Sequence, residues 1–156
     1  MGVISNSFFE SGTAGWQPVN NAGAVSIGAV TNDGTARVGT SYLQVSTSQQ
    51  GGSVAIDIPQ SNYVQPTSLY ALAWLRAPQG QVDGTLAMWE IAHSPYAIVV
   101  NMNRNFTAYG NEWFMIENGL DSLPLPGGSS EVSYRLEFYI NTINQPLDID
   151  SVMWWS

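Results

Sequence analysis

The stretch Leu69-Tyr70-Ala71-Leu72-Ala73-Trp74-Leu75-Arg76-Ala77 decides the fold class. Side chains of an extended strand point alternately to opposite faces. Leu69, Ala71, Ala73 and Leu75 then form a small aliphatic face suited to a core. Tyr70, Leu72, Trp74 and Arg76 form the other face, and Pro78-Gln79-Gly80 ends the strand. Working outward, segments of the same kind recur in both directions. Tyr42–Val45 points Leu43 and Val45 inward, and Val54, Ile56 and Ile58 line one face of a strand that stops at Pro59. Leu86–Ile91, Ala97–Met102, Glu112–Ile116, Val132–Ile140 and Leu147–Trp154 complete the set. Turn residues bound each segment and none has helical periodicity. About eight or nine such strands predict an all-β chain, a jelly-roll β-sandwich of two antiparallel sheets.

No linker or repeat divides the sequence, so residues 1–156 read as one domain, with Leu120–Ser130 as its longest loop. Its 156 residues are enough for a sizeable core. Aromatic residues make up 12 % and charged residues only 10 %, a surplus of flat rings beyond what a core needs. Twelve acidic residues against four arginines give a net charge of −8. That excludes a nucleic-acid backbone or an anionic membrane surface as partner. No cysteine is present, which removes disulfides and thiolate metal sites. Met1-Gly2 is not followed by the basic and apolar regions of a signal peptide. The chain reads as a module cut from a longer protein, extracellular or at the cell surface. Asn105-Phe106-Thr107 is a formal glycosylation sequon.

Two groups of residues carry candidate chemistry. Glu10 and Asp150 stand near opposite ends of the chain. Were the first and last strands neighbours, these carboxylates would meet over a hard cation. The second group is a sugar platform. Tyr70, Trp74 and Arg76 share one face of their strand, and Arg135, Glu137, Tyr139 and Asn141 share the outer face of the Val132–Ile140 segment, leaving Tyr134, Leu136, Phe138 and Ile140 for the core. With Trp89, adjacent strands of this kind would present rings for stacking on pyranose C–H faces and polar groups for hydroxyls. Trp16 and the Trp154-Trp155 pair read as packing at the sandwich ends. The lone His93 beside Ser94 is no triad, and the scattered acids make no catalytic pair.

The run Asn6-Ser7-Phe8-Phe9-Glu10-Ser11-Gly12-Thr13-Ala14-Gly15-Trp16 resembles the opening of carbohydrate-binding modules of families 4, 9, 16 and 22. Gly39–Val45, Tyr70–Ala77 and Asp148–Val152 resemble later segments of the same group, in the same order. The resemblance implies a galactose-binding-like sandwich, a structural Ca²⁺ on Glu10 and Asp150 with carbonyls near Gly12 and Thr40, and a secreted glycoside hydrolase or surface protein as the covalently attached partner. Ser46–Gly52 has no ring where family 22-like modules usually carry a sugar-contacting Trp, which demotes xylan. The expectation is a non-catalytic module for a neutral polysaccharide: β-glucan, cellulose-like or mannan. The rivals are a structural or adhesion domain of a surface or phage protein, and a jelly-roll glycoside hydrolase or lyase.

Overall fold

The structure, a computed structural model, describes residues 3–59, 68–127, 129 and 131–156. Eleven strands run in chain order through the described residues. They are β1 (Val3–Ser7), β2 (Gln17–Pro18), β3 (Val25–Thr31), β4 (Ser41–Thr47), β5 (Gly52–Pro59), β6 (Ser68–Arg76), β7 (Gln81–His93), β8 (Ala97–Tyr109), β9 (Phe114–Asp121), β10 (Glu131–Ile140) and β11 (Leu147–Trp155). A single 3₁₀ turn, Ala22–Ala24, is the only helical element among the described residues. The first sheet has the order β3-β4-β11-β6-β9, with β1 also on β11; the second has the order β2-β5-β10-β7-β8. Every pairing is antiparallel. The molecule is a β-sandwich.

Alternation fills the space between the sheets. On β6, Leu69, Ala71, Ala73 and Leu75 are at most 1 % exposed. On β10, Tyr134, Leu136, Phe138 and Ile140 are buried in the same cluster. Both inward sets match the period-2 reading. Trp16 and Trp154 join this core, Trp16 donating from Nε1 to Ser7 Oγ at 3.1 Å.

Strand β11 changes parity partway along. Leu147 and Ile149 point inward, but so do Val152 and Trp154. A bulge makes this possible: the register against β6 shifts between Asp150 and Met153, and Ser151 adopts a left-handed φ of 52°. One extra residue turns the strand over.

The elements depart from the sequence reading in their extents. Strands β1, β2 and β3 are additional; β7 and β8 run to 13 residues each. Strand β9 takes Leu120 and Asp121 from the expected Leu120–Ser130 loop, of which Gly128 and Ser130 lie outside the described residues. Met1 and Gly2, read for a leader, lie outside them too.

Candidate functional site

The register of the second sheet arranges its outer face in three rows. Asp57, Arg135, Trp89 and Asn101 form the first, on β5, β10, β7 and β8 in turn. Ala55, Glu137, Ala87 and Asn103 form the second, continued by Gln17 on β2. Ser53, Tyr139, Thr85 and Asn105 form the third. The middle row is low, with one alanine on each side of the Glu137 carboxylate. Beside it, along the β2–β5 margin, Gln17, Ala55, Asp57 and Arg135 line a recess of about 400 Å3.

Hydrogen bonds fix these side chains. Arg135 grips Asp57 with two contacts, Nε–Oδ1 at 2.7 Å and Nη2–Oδ2 at 3.0 Å, and that bond raises its pKa. Glu137, only 1 % exposed, accepts from Ser53 Oγ at 2.5 Å. Beside it, the Tyr139 hydroxyl is pushed up to about 12 by burial first and then by the neighbouring Glu137 charge. The tyrosine therefore keeps its proton at any physiological pH. On the β8 side Asn103 Nδ2 donates to Asn101 Oδ1 at 3.0 Å, and Thr85 Oγ1 to Asn105 Oδ1 at 2.8 Å. Half-buried Trp89 completes the face; its Nε1 is buried without a partner among the described residues. Asn141, just past β10, is exposed at the rim.

The expected platform is thus divided between two sheets. Trp89, Glu137 and Tyr139 come together on the second sheet, whereas Tyr70, Trp74 and Arg76 lie on β6 in the first. Strands β6 and β10 are not adjacent, because β11 and β9 flank β6 while β5 and β7 flank β10. Nor is Arg76 free to meet a ligand. It is 6 % exposed, donates from Nε and Nη2 to Asp148 Oδ2 at 2.9 and 2.7 Å, and binds the Thr35 carbonyl at 3.0 Å. Tyr42 and Trp113 cover its guanidinium at 5.0 and 4.6 Å from their ring centroids. Arg76 is a structural clamp. Trp74 is capped by Arg37 at 4.2 Å. Tyr70 stays 42 % exposed.

Period-2 reasoning could place Arg135, Glu137 and Tyr139 on one face, and did. It missed Asp57, Ser53 and the Asn101-Asn103-Asn105 column, whose only signal was the same parity on strands of unknown neighbours. His93 ends β7 and bonds Ser133 across the sheet at 2.8 Å.

At the other end, β1 pairs with β11, and this neighbourhood brings Glu10 and Asp150 to one corner. Glu10 accepts from the Thr40 and Ser41 backbone N–H groups at 2.9 and 3.0 Å and from Thr40 Oγ1 at 2.7 Å. The Thr40 hydroxyl leads in pulling its pKa down. Gly39 has a φ of 65°, and a Cβ there would run into the Glu10 carboxylate, so only glycine closes this loop. Asp150, fully buried, accepts from the N–H groups of Arg37 and Val38 at 2.9 Å each on Oδ2, and of Ser151 at 2.6 Å on Oδ1. Burial raises its pKa despite those bonds, and the Glu10 charge adds to the rise.

The donor set fits a hard cation. Glu10 Oε2 and Asp150 Oδ1 each carry a single hydrogen bond and keep an acceptor position open. Ser41 and Ser151, whose N–H groups bind these carboxylates, have buried hydroxyls without partners among the described residues. Among the described residues no three His, Cys, Asp or Glu side chains converge, so the remaining oxygens would come from backbone, hydroxyls and water, as Ca²⁺ accepts. The Thr40 carbonyl accepts from Asn32 N–H at 2.8 Å, and Gly12 closes a turn onto the Phe9 carbonyl at 3.3 Å.

This two-sheet arrangement has close counterparts among solved structures. The second family 22 xylan-binding domain of Paenibacillus barcinonensis Xyn10C superposes with a TM-score of 0.69 at 14 % identity, covering 98 % of this chain and 99 % of that one. The chain has the fold of a carbohydrate-binding module. A family 16 carbohydrate-binding module gives a TM-score of 0.63 at 18 % identity over 99 % of this chain and 100 % of that one. The tandem of both family 22 domains from the same Paenibacillus protein gives 0.69 at 12 % identity over 98 % of this chain, which spans 44 % of the tandem's length. At these identities the likeness is one of fold. No protein-family profile matches the chain, and no curated protein matches it.

Proposed function

We propose that the chain is a non-catalytic carbohydrate-binding module that holds a neutral polysaccharide across the outer face of β5-β10-β7-β8. The observation that carries this reading is the three-row face itself: a half-buried tryptophan and tyrosine, a fixed arginine and a column of amides around a low middle row. Sugar C–H faces stack on such rings, while amides both donate to and accept from hydroxyls. Glu137, buried, acts through the Ser53 hydroxyl that it orients. The fold shared with family 22 and 16 modules supports the reading. A net charge of −8 favours neutral over anionic glycans, and the absence of a ring in Ser46–Gly52 favours β-glucan, cellulose-like chains or mannan over xylan.

Non-catalytic status is supported by the placement of the acids. Glu90 and Glu137 lie on opposite faces of one sheet and cannot flank a single glycosidic bond. Glu10, Asp150 and their loop would hold a structural Ca²⁺ that ties the first and last strands. Residues 1–156 act as a single module, attached in a longer extracellular or surface protein to a catalytic or surface domain.

The test is retention on a panel of soluble and insoluble glycans by affinity electrophoresis and pull-down. One neutral polysaccharide should retard the protein, and Trp89→Ala should abolish the retardation. No retention on any glycan by a folded protein would reject the reading in favour of a structural domain; release of reducing sugar would reject its non-catalytic part.

A further inference from the structure

We propose a second, separate contact for a neutral pyranose, on the first sheet, built on Tyr70 and Trp155. It rests on the reading that the domain binds glycan and adds a site that the three-row face does not contain.

The first sign is a glycine. Gly119 sits inside β9, where glycine weakens a strand, and its backbone φ is not left-handed. Its cross-strand partner is Tyr70. A Cβ at 119 would lie 3.3 Å from Tyr70 Cδ1 and 3.4 Å from Cε1. The glycine makes room for a ring laid against the strand. On the other side of Tyr70 the register supplies Trp155, nearly parallel at 24° with ring centroids 5.9 Å apart. The pair faces outward and fills no core.

A recess of about 370 Å3 adjoins it, bordered also by Arg104, Glu117 and Asn118. Arg104 differs from the other three arginines. Arg37 covers Trp74, Arg76 is spent on Asp148 and Arg135 on Asp57, but among the described residues no carboxylate or ring engages the Arg104 guanidinium. Glu117, exposed, likewise has no partner among the described residues. Asn118 belongs to the framework: its Nδ2 donates to the carbonyls of Leu86 at 3.1 Å and Met102 at 3.0 Å, and its Oδ1 accepts from Gly119 N–H at 2.9 Å. The amide crosses from one sheet to the other and fixes the two walls of the recess, β9 and β8, at a set separation.

An aromatic pair, a free donor fork and a free acceptor around a rigid recess match a pyranose, whose C–H face stacks while its hydroxyls both give and take hydrogen bonds. A uronate or sulfated sugar would meet Glu117. With the other face on the opposite sheet, one molecule would hold two chains, or two stretches of one chain with a gain in effective concentration.

Indole N–H resonances provide the test, since Trp89 reports one face and Trp155 the other, each assigned from its Trp→Phe variant. The folded protein is titrated in turn with cellohexaose, mannohexaose and xylohexaose. We expect one hexaose to shift both resonances, and Tyr70→Ala or Arg104→Ala, both exposed positions, to suppress the Trp155 shift and halve the calorimetric stoichiometry while Trp89 still moves. A Trp155 resonance that no hexaose moves overturns the second contact, whatever Trp89 does. So do unaltered shifts and stoichiometry in both variants. A silent Trp89 beside a moving Trp155 would instead reject the three-row face and leave the second contact standing.

Discussion

Both outer faces of the sandwich hold an arginine against an aspartate, but the two pairs differ in surroundings. On the first sheet Arg76 is buried, capped by two rings, and holds the Thr35 loop as well as Asp148. On the second, the Arg135–Asp57 pair stands partly in water, with side chains 25 % and 51 % exposed. A residue read as a ligand contact on the first sheet is structural, while its counterpart on the second stays partly open to solvent. The chemistry of the letters is the same; burial assigns the task.

The sharpest way to break that contrast is to remove each guanidinium. Arg76→Ala leaves Asp148 buried and unpaired, and denaturant unfolding should show a loss of about 3–5 kcal/mol. Arg135→Ala should cost about 0–1 kcal/mol. Equal losses would mean that burial does not separate the two pairs. Next comes ring removal. Trp89→Ala should weaken glycan binding at least about tenfold, whereas Trp74→Ala, already capped by Arg37, should leave the mobility in a glycan gel unchanged. The opposite ranking would move the binding face to the first sheet.

Calcium should separate the regions further. Adding it should raise the melting temperature by a few degrees, chelator should reverse this, and Glu10→Gln should erase the response without altering glycan affinity. A calcium requirement for binding would couple corner and face. The smallest effect concerns Glu90, on the inner side of β7. Burial raises its pKa from the ordinary 4.5, while bonds from Ser122 and Leu123 oppose the rise. A raised folded pKa contributes stability below the unfolded value and loses it as pH climbs through the folded one. Wild type should therefore lose stability upward from about pH 4.5, and Glu90→Gln should flatten that part of a melting profile. A parallel profile would mean that Glu90 titrates normally.

The division between the two faces also marks what could be read beforehand. Parity within a strand is local, so the inward Leu69-Ala71-Ala73-Leu75 and Tyr134-Leu136-Phe138-Ile140 sets followed from the letters alone. Which strands become neighbours depends on long-range pairing, and nothing in Tyr70–Arg76 shows that β11 and β9, not β10, will flank it. A single platform of Tyr70–Arg76 and Arg135–Asn141 would need a pairing of β6 with β10 that the topology lacks. The Glu10–Asp150 corner was legible because it needed only one long-range fact, that first and last strands pair. The bulge at Ser151 was not, since a residue with φ of 52° has no letter of its own here. Arg76 was misassigned for a related reason: Tyr42, Trp113, Thr35 and Asp148 reach it from four separate parts of the chain.

The pairing of β1 with β11 has a mechanical consequence. Val3 lies opposite Trp155, and the two strands run antiparallel from there to Ser7 and Val152, so the chain enters and leaves at one point. A tether pulling at both ends would load the β1–β11 pair rung by rung, and with it the β11–β6 ladder that starts at the same Trp155. The peeling front would arrive, after Ser7, at the corner of Glu10 and Asp150. An ion held there would be the rivet at which the tear stops.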